Sequence, residues 1–120
     1  IIMCGFLACY HHKSYKFTKE EFLKSLNLLN HRGPDATGYV ELDLGSYYFK
    51  MGHKRLSIID LSPHSSQPMS SNDKRFSLVF NGELYNYIEL RKLLLSKGHI
   101  FFTKSDAKIS VCFFHPDKAT

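Results

Sequence analysis

Hydrophobic and polar positions along the chain predict an irregular order of strands and helices. Apolar and aromatic runs predict strands in segments 4–10 and 76–80, and the β-rich segment 37–59 predicts a hairpin that leads into a further strand. Apolar residues that recur every three or four positions predict helices in segments 18–30 and 86–98. Because helices and strands do not alternate strictly, this order favours layered sheets with helices outside, an α+β fold, over a doubly wound parallel sheet.

Both predicted helices carry boundary signals. Thr18 with Glu21, and Asn86 with Glu89, have the three-residue spacing of a capping box at a helix start. Gly98 closes the second helix, since glycine readily adopts the left-handed conformation that often follows a helix.

Further elements are predicted in the second half of the chain. Residues 56–60 follow the hairpin as a strand, residues 61–74 form a loop rich in serine and proline, and residues 100–103 form a last short strand. Ser105 and Asp106 mark a candidate start of a third helix.

The composition of the 120 residues bounds the classes of function. With 43% hydrophobic and 22% charged residues the composition is globular, which excludes disorder, and the length fits one domain. The net charge of +5 comes from lysines spread singly among acidic residues, so we expect no nucleic-acid surface. No apolar run approaches the roughly 18 residues that cross a bilayer, and three cysteines without paired spacing favour a reducing compartment. We therefore expect a cytoplasmic protein without membrane contact.

Cys4 is a candidate nucleophile. It directly follows Met3, and loss of this methionine as the start residue would leave the thiol beside a free α-amine, the arrangement of an N-terminal nucleophile. The alternative interpretation is a buried structural cysteine at the start of a strand.

Three other segments carry polar residues at predicted element boundaries. Asn81 and Gly82 follow a strand and have the makeup of an oxyanion hole, or equally of a tight hairpin turn. Arg55 at the mouth of a strand either clamps a carboxylate or lies solvated on the surface. Segment 31–35, His-Arg-Gly-Pro-Asp, is either a helix exit or a site loop.

Taken together and in order, these motifs resemble one family. They are Met-Cys-Gly-Phe at 3–6, His-Arg-Gly-Pro-Asp at 31–35, Gly-His-Lys-Arg-Leu-Ser-Ile-Ile-Asp at 52–60, Gln-Pro at 67–68, Asn-Gly-Glu-Leu-Tyr-Asn at 81–86 and Ser-Asp at 105–106. At matching spacings they resemble the glutaminase domain, a class-II glutamine amidotransferase, of glutamine-hydrolysing asparagine synthetases.

The resemblance implies a fold and a domain organisation. The implied fold is an N-terminal nucleophile hydrolase, a four-layer αββα sandwich of antiparallel sheets, which we expect to be incomplete in this chain. Residues 3–120 would form a truncated amidotransferase domain with an atypical tail at 107–120, and the synthetase domain of the family would be absent.

The resemblance also implies residue roles. Cys4 would attack the amide carbon of glutamine and form a γ-glutamyl thioester, while Asn81 and Gly82 would stabilise the oxyanion. The implied substrate-binding residues are Arg55, Leu56, Ile58, Glu83 and Asp106. No metal or cofactor is expected in this domain, and ATP and Mg²⁺ are expected only for the synthetase domain. The implied partners are glutamine and a synthetase domain in cis, within a homodimeric full enzyme.

Two departures from the family leave alternatives open. Ile1 and Ile2 precede Met3, and with them attached the amine of Cys4 is an amide, so we expect the chain to be inactive until Cys4 is terminal. Segment 107–120 departs from the family pattern, and its Cys112 and His115 have metal-ligand types but no second pair. The alternatives are an inactive or truncated remnant that at most binds a partner, and an amidotransferase domain that serves another acceptor.

Overall fold

The computed structural model of the chain has an α+β fold with antiparallel sheets. It describes residues 4–56, 66–71, 73–101 and 106–114, with side chains through Cys112. The chain divides into two units, Ile1–Ser57 and Ile58–Thr120. Within the described residues, no helix is long and apolar enough to cross a membrane.

The first unit is a three-stranded antiparallel sheet with one helix. Its elements in chain order are β1 (Gly5–His12), α1 (Lys19–Asn27), β2 (Ala36–Asp43) and β3 (Tyr47–Arg55). The sheet order is β1-β3-β2, so the central strand pairs with both neighbours. β2 and β3 form the predicted hairpin, and Gly45 in its turn has a φ of 78° that favours glycine.

The helix α1 lies close against β3. A Cβ built at Gly52 would come within 2.5 Å of Leu26 Cδ2 and 2.8 Å of Phe22 Cε1. Phe22 and Leu26 are fully buried, so the missing side chain at Gly52 is what lets the helix approach the sheet. This packing fixes the first unit around its central strand.

The capping box predicted at the start of α1 is confirmed. The Glu21 N–H donates to Thr18 Oγ1 at 3.2 Å, and the Thr18 N–H donates to Glu21 Oε2 at 2.8 Å. The hydrogen bonds that the Thr18 N–H and hydroxyl donate to Glu21 Oε2 lower the pKa of the Glu21 carboxyl. The helix ends at Asn27 rather than near Asn30, because the following N–H groups bond three residues back and tighten into turns.

The second unit has short strands and two helices. Its elements are β4 (Met69–Ser70), β5 (Ser77–Leu78), α2 (Tyr87–Ser96) and α3 (Asp106–Phe114). β4 and β5 pair antiparallel, and Met69, Ala107 and Val111 form a buried core with the partly buried Leu78 and Phe80 against it. The core therefore joins the small sheet to α3.

Several predictions for the second unit are corrected. β4 lies inside the segment predicted as a loop, and β5 occupies only part of the predicted strand 76–80. Asn86 makes no side-chain capping hydrogen bond, because its φ of −98° and ψ of 28° are not the extended conformation of an N-cap. The predicted end of α2 is confirmed, since Gly98 has a φ of 90°.

The remaining predictions fall at the edges of the described residues. β3 ends at Arg55, and residues 57–60 of the predicted strand lie outside the described part of the chain. Ile100 and Phe101 form no strand, and residues 102–105 are likewise outside it. The third helix does begin at Asp106, and α3 extends through the first half of the segment expected as an atypical tail.

Candidate active site

Cys4 lies at the entrance to β1, beside the residue that follows β3. The Leu56 N–H donates to Cys4 Sγ at 3.2 Å, and the thiol lies 3.7 Å from the Leu56 carbonyl oxygen. β1 and β3 are antiparallel, with Gly5 opposite Lys54, so the start of one strand meets the end of the other. The register thus brings together the predicted site residues Cys4, Arg55 and Leu56.

The 31–35 segment contacts the same end of the sheet. Arg32 Nε donates to the Cys4 carbonyl oxygen at 3.3 Å, and the Asp35 N–H donates to the Arg55 carbonyl oxygen at 3.0 Å. A Cβ built at Gly33 would lie 2.3 Å from Lys54 O, so only glycine permits this approach. The segment therefore supports the backbone on both sides of the candidate nucleophile.

Arg55 is a largely buried cation at the end of β3. Only 9% of its surface is exposed, which excludes the interpretation of a solvated surface arginine. A guanidinium at the rim of a sheet can bind a carboxylate with two parallel hydrogen bonds. Its predicted role as the carboxylate ligand stays a prediction.

Sequence reasoning did not find the buried lysines of β3. Lys54 is 4% exposed, and its ammonium donates to Thr37 Oγ1 at 2.7 Å and to Asn30 Oδ1 at 3.3 Å. This side chain connects the turn after α1 to β2, and Lys54 is itself the residue of β3 that pairs with Gly5. The signal available in the sequence was weak, since a lone lysine in a strand usually faces water.

Lys50 is a second buried lysine of β3, and it contacts the exposed Glu41. Its ammonium lies 3.3 Å from Glu41 Oε2, which also accepts a hydrogen bond from the Tyr39 hydroxyl at 2.9 Å. Burial by itself raises the pKa of Glu41, but hydrogen bonds from Tyr39 and Lys50 outweigh it and the pKa falls below its ordinary value. Burial and the hydrogen bond to Glu41 raise the pKa of Tyr39.

In the second unit, the predicted oxyanion residues lie between β5 and α2. Asn81 is half-buried, whereas Gly82 and Glu83 are exposed. The Leu84 N–H donates to Asp106 Oδ2 at 3.0 Å, so the predicted pair Glu83 and Asp106 is brought to one place. The tight-turn alternative for the Asn-Gly pair is not what the structure shows, since β5 ends before it and a helix follows.

Gln67 holds the residue that precedes this loop. Its Nε2 donates to the Phe80 carbonyl oxygen at 3.1 Å, and the Phe80 N–H donates to Gln67 Oε1 at 2.5 Å. A Cβ built at Gly82 would lie 3.2 Å from Phe80 Cζ, so the phenyl ring lies against the loop. Sequence reasoning placed Gln67 in a motif but assigned it no role.

The structure says less about the remaining residues that the sequence predicts as site residues or metal ligands. Ile58 and His115 lie outside the described residues. Cys4, Cys9 and Cys112 are free thiols, and burial raises the pKa of Cys112. In the part of the chain that the structure describes, no cluster of three histidine, cysteine or carboxylate side chains could hold a metal ion.

Comparison with known proteins identifies relatives along most of the chain. The model of a family described as "Glutamine amidotransferase domain" matches residues 3–116. Glutamine-hydrolyzing asparagine synthetase 1 of Bacillus subtilis is 41% identical over 110 residues, which cover 89% of this chain and 17% of that protein. Amidase chry2 of Gibberella zeae is 38% identical over 93% of this chain and 18% of its own length. Amidase chyE of Penicillium rubens is 41% identical over 79% of this chain and 13% of its own length. The chain thus spans less than a fifth of each of these relatives.

Proposed function

Because the chain belongs to the glutamine amidotransferase domain family, we propose that it hydrolyses the side-chain amide of glutamine to glutamate and ammonia. The observation that carries this proposal is the thiol of Cys4, which lies 3.2 Å from the nitrogen of Leu56, the residue that follows the buried Arg55. A thiol that is fixed at the end of two paired strands is oriented for attack on one bound carbonyl group.

The proposed reaction begins at Cys4 Sγ. The sulfur attacks the amide carbon of glutamine, the tetrahedral intermediate expels ammonia, and water then hydrolyses the γ-glutamyl thioester to glutamate. The α-amine of Cys4 takes the thiol proton and supplies one to the departing ammonia, which requires that Cys4 be the terminal residue.

The proposed binding residues match the charges of the substrate. Arg55 binds the α-carboxylate of glutamine, and Glu83 and Asp106 bind its α-ammonium. Asp106 Oδ2 accepts a hydrogen bond from the Leu84 N–H, so the other carboxylate oxygen, Oδ1, would bind the ammonium group. Leu56 and Ile58 are the remaining substrate-binding residues that the family resemblance implies.

The negative charge that develops on the amide oxygen of glutamine requires hydrogen-bond donors to stabilise it. We assign this role to the side-chain amide of Asn81 and the N–H of Gly82. Removal of one such donor in other enzymes lowers the turnover number by about 10² to 10³.

The proposed context is asparagine synthesis. The motifs support an N-terminal nucleophile hydrolase with a four-layer αββα sandwich, and the name of the Bacillus subtilis relative supports asparagine synthesis. The ammonia would pass to a synthetase domain in cis, which forms asparagine from aspartate with ATP and Mg²⁺ in a homodimeric enzyme. The glutamine step itself needs no cofactor, because thiol, amine and amide donors supply its chemistry. Three free cysteines favour a reducing compartment such as the cytoplasm.

A second candidate function is supported by two of the relatives. Amidase chry2 and amidase chyE share 38% and 41% identity with this chain. An amidotransferase domain of this kind that delivers ammonia to another acceptor would have the same Cys4 chemistry. The two candidates differ only in the acceptor.

The test uses the chain with Cys4 as its first residue, confirmed by mass spectrometry. We expect glutamate release from glutamine, and no release from a Cys4→Ala variant or from the same chain with Ile1 to Met3 retained. Unchanged activity in Cys4→Ala would refute the nucleophile assignment. No activity in the Cys4-terminal chain would favour an inactive remnant. To distinguish the two candidate functions, a full-length relative is assayed with glutamine and either aspartate or another acceptor, and the amidated product is identified.

A further inference from the structure

We propose that Gln67 is a positioning residue for the Asn81–Gly82 loop. It would act through the backbone of Phe80 and set where the two oxyanion donors point. This inference rests on the proposed glutamine hydrolysis, since it concerns the stabilisation of the intermediate of that reaction.

The first argument comes from the register of the small sheet. Met69 pairs with Leu78 and Ser70 with Ser77, so the same ladder extended by two residues places Gln67 opposite Phe80. Pro68, between Gln67 and Met69, has no N–H to donate to such a ladder. At this position the Gln67 side chain, rather than its backbone, makes a pair of hydrogen bonds with Phe80, at 3.1 Å and 2.5 Å.

The second argument is that the loop is held on both flanks. Phe80 directly precedes Asn81 and is bound by Gln67, while Leu84 directly follows Glu83 and is bound by Asp106 at 3.0 Å. Only residues 81–83 stand between these anchor points. The phenyl ring of Phe80 adds a contact to the loop, since it lies 3.2 Å from a Cβ built at Gly82.

The third argument is the chemistry of the side chain. A carboxamide carries an NH₂ donor group and an acceptor oxygen at the spacing of a peptide group, so it satisfies both the N–H and the C=O of Phe80. A glutamate at this position keeps the acceptor and loses the donor, whereas a methionine of similar length loses both. Placement of oxyanion donors matters in the transition state more than in the bound substrate, so the loss should affect kcat more than KM.

The kinetic test compares Gln67→Met and Gln67→Glu with the parent Cys4-terminal chain. For Gln67→Met we expect a fall in kcat for glutamate release of about tenfold to a hundredfold, with a KM for glutamine that changes by less than about threefold. Ser77→Ala is the matched control, because Ser77 Oγ lies 2.9 Å from Ser70 Oγ in the same small sheet and away from the loop. It should leave kcat within about twofold of the parent.

The Gln67→Glu variant adds a readout that a merely structural role would not move. When its carboxyl group is protonated it again carries a donor and an acceptor, so the second hydrogen bond returns. The ratio of its kcat to that of the parent should therefore rise as the pH falls towards about 5, near the upper side of a carboxyl pKa. The ratio for Gln67→Met should stay constant over the same range.

A structural readout on the full 120-residue chain guards against misfolding. Hydrogen exchange followed by NMR should show faster exchange of the Phe80 amide in Gln67→Met, with the amides of β3 unchanged. If the β3 amides also exchange faster, Gln67→Met has disturbed the whole fold. The pH dependence of kcat in Gln67→Glu, relative to the parent, is then the test of the positioning role.

The outcomes separate this inference from the proposed function. An active parent with Gln67→Met within about twofold in kcat overturns the positioning role and leaves the proposed function standing. An equal loss in Ser77→Ala, or a flat pH ratio in Gln67→Glu, also overturns it. A parent chain that releases no glutamate overturns the proposed function, and this inference with it.

Discussion

The two units position their candidate site residues by different means. In the first unit, β1 and β3 pair over eight residues, and the backbone ladder brings Cys4 to Leu56. In the second unit, the paired strands have two residues each, and side chains hold the loop that carries Asn81. A ladder spreads its stabilisation over many peptide groups, whereas a side-chain contact can be lost by one substitution. The proposed oxyanion loop is therefore more easily perturbed by a single substitution than the strand pairing that holds Cys4.

The largest expected effect is on that loop. Asn81→Ala removes a proposed oxyanion donor, and kcat for glutamate release should fall by about 10² to 10³ with a smaller change in KM. Steady-state kinetics of the Cys4-terminal chain measure this. The thermal transition should move little, because Asn81 is only half-buried. An unchanged kcat would remove Asn81 from the site and restrict the proposed chemistry to the first unit.

The next effect is on the backbone of the first unit. Gly33→Ala places a Cβ 2.3 Å from the Lys54 carbonyl oxygen. This oxygen belongs to the backbone of the central strand, so it cannot move away as a flexible side chain would. We expect a loss of about 3 kcal/mol in the free energy of unfolding, measured by urea titration.

Gly52→Ala is the matched control for Gly33→Ala. Its nearest obstacles are the side-chain ends of Leu26 and Phe22, which can shift. It should therefore cost less, about 1 to 2 kcal/mol. Equal losses in the two variants would mean that the 31–35 segment is not held rigidly against β3.

A smaller effect compares the two helix starts. Thr18→Ala removes an observed capping hydrogen bond and should cost about 1 kcal/mol. Asn86→Ala removes no such bond and should change stability by less than about 0.5 kcal/mol. Thermal denaturation followed by circular dichroism measures both. A larger loss for Asn86→Ala than for Thr18→Ala would contradict the assignment of the caps.

The smallest effect depends on pH. The pKa of Glu41 is lowered in the folded chain, so its charged form stabilises the first unit above the unfolded pKa of about 4.3. This stabilisation is lost as the pH falls through the folded value. The difference in Tm between the parent and Glu41→Gln should be largest near neutral pH and should vanish in acid. A difference independent of pH would show that the charge of Glu41 does not set the contribution.

Sequence reasoning succeeded where the signal was local. The capping box at Thr18, the hairpin and the end of α2 at Gly98 depend on residues within a few positions of one another, and the structure has all three. Asn86 had the same spacing as Thr18, yet the backbone turn that precedes α2 gives it another conformation. β4 was missed because two residues among serines and prolines carry no periodic pattern.

The site shows the same division. The family resemblance assigned roles to Cys4, Arg55 and Leu56, which the register of β1 and β3 brings together, but the roles themselves stay predictions. The supporting contacts of Arg32, Lys54 and Gln67 were not predicted. Each joins a side chain to a group at least 13 residues away in sequence, so neither periodicity nor spacing reveals it.

The pairing of β1 with β3 also restricts which changes of length the chain tolerates. Side chains alternate between the two faces of a strand, so one residue inserted within β1 would move Cys4 to the opposite face of the sheet. The turn at Gly45 lies at the other end of β3, and none of the residues that the structure describes comes within 4 Å of a Cβ built there. That turn is where relatives should differ in length, and where a peptide tag can be inserted without displacing the thiol.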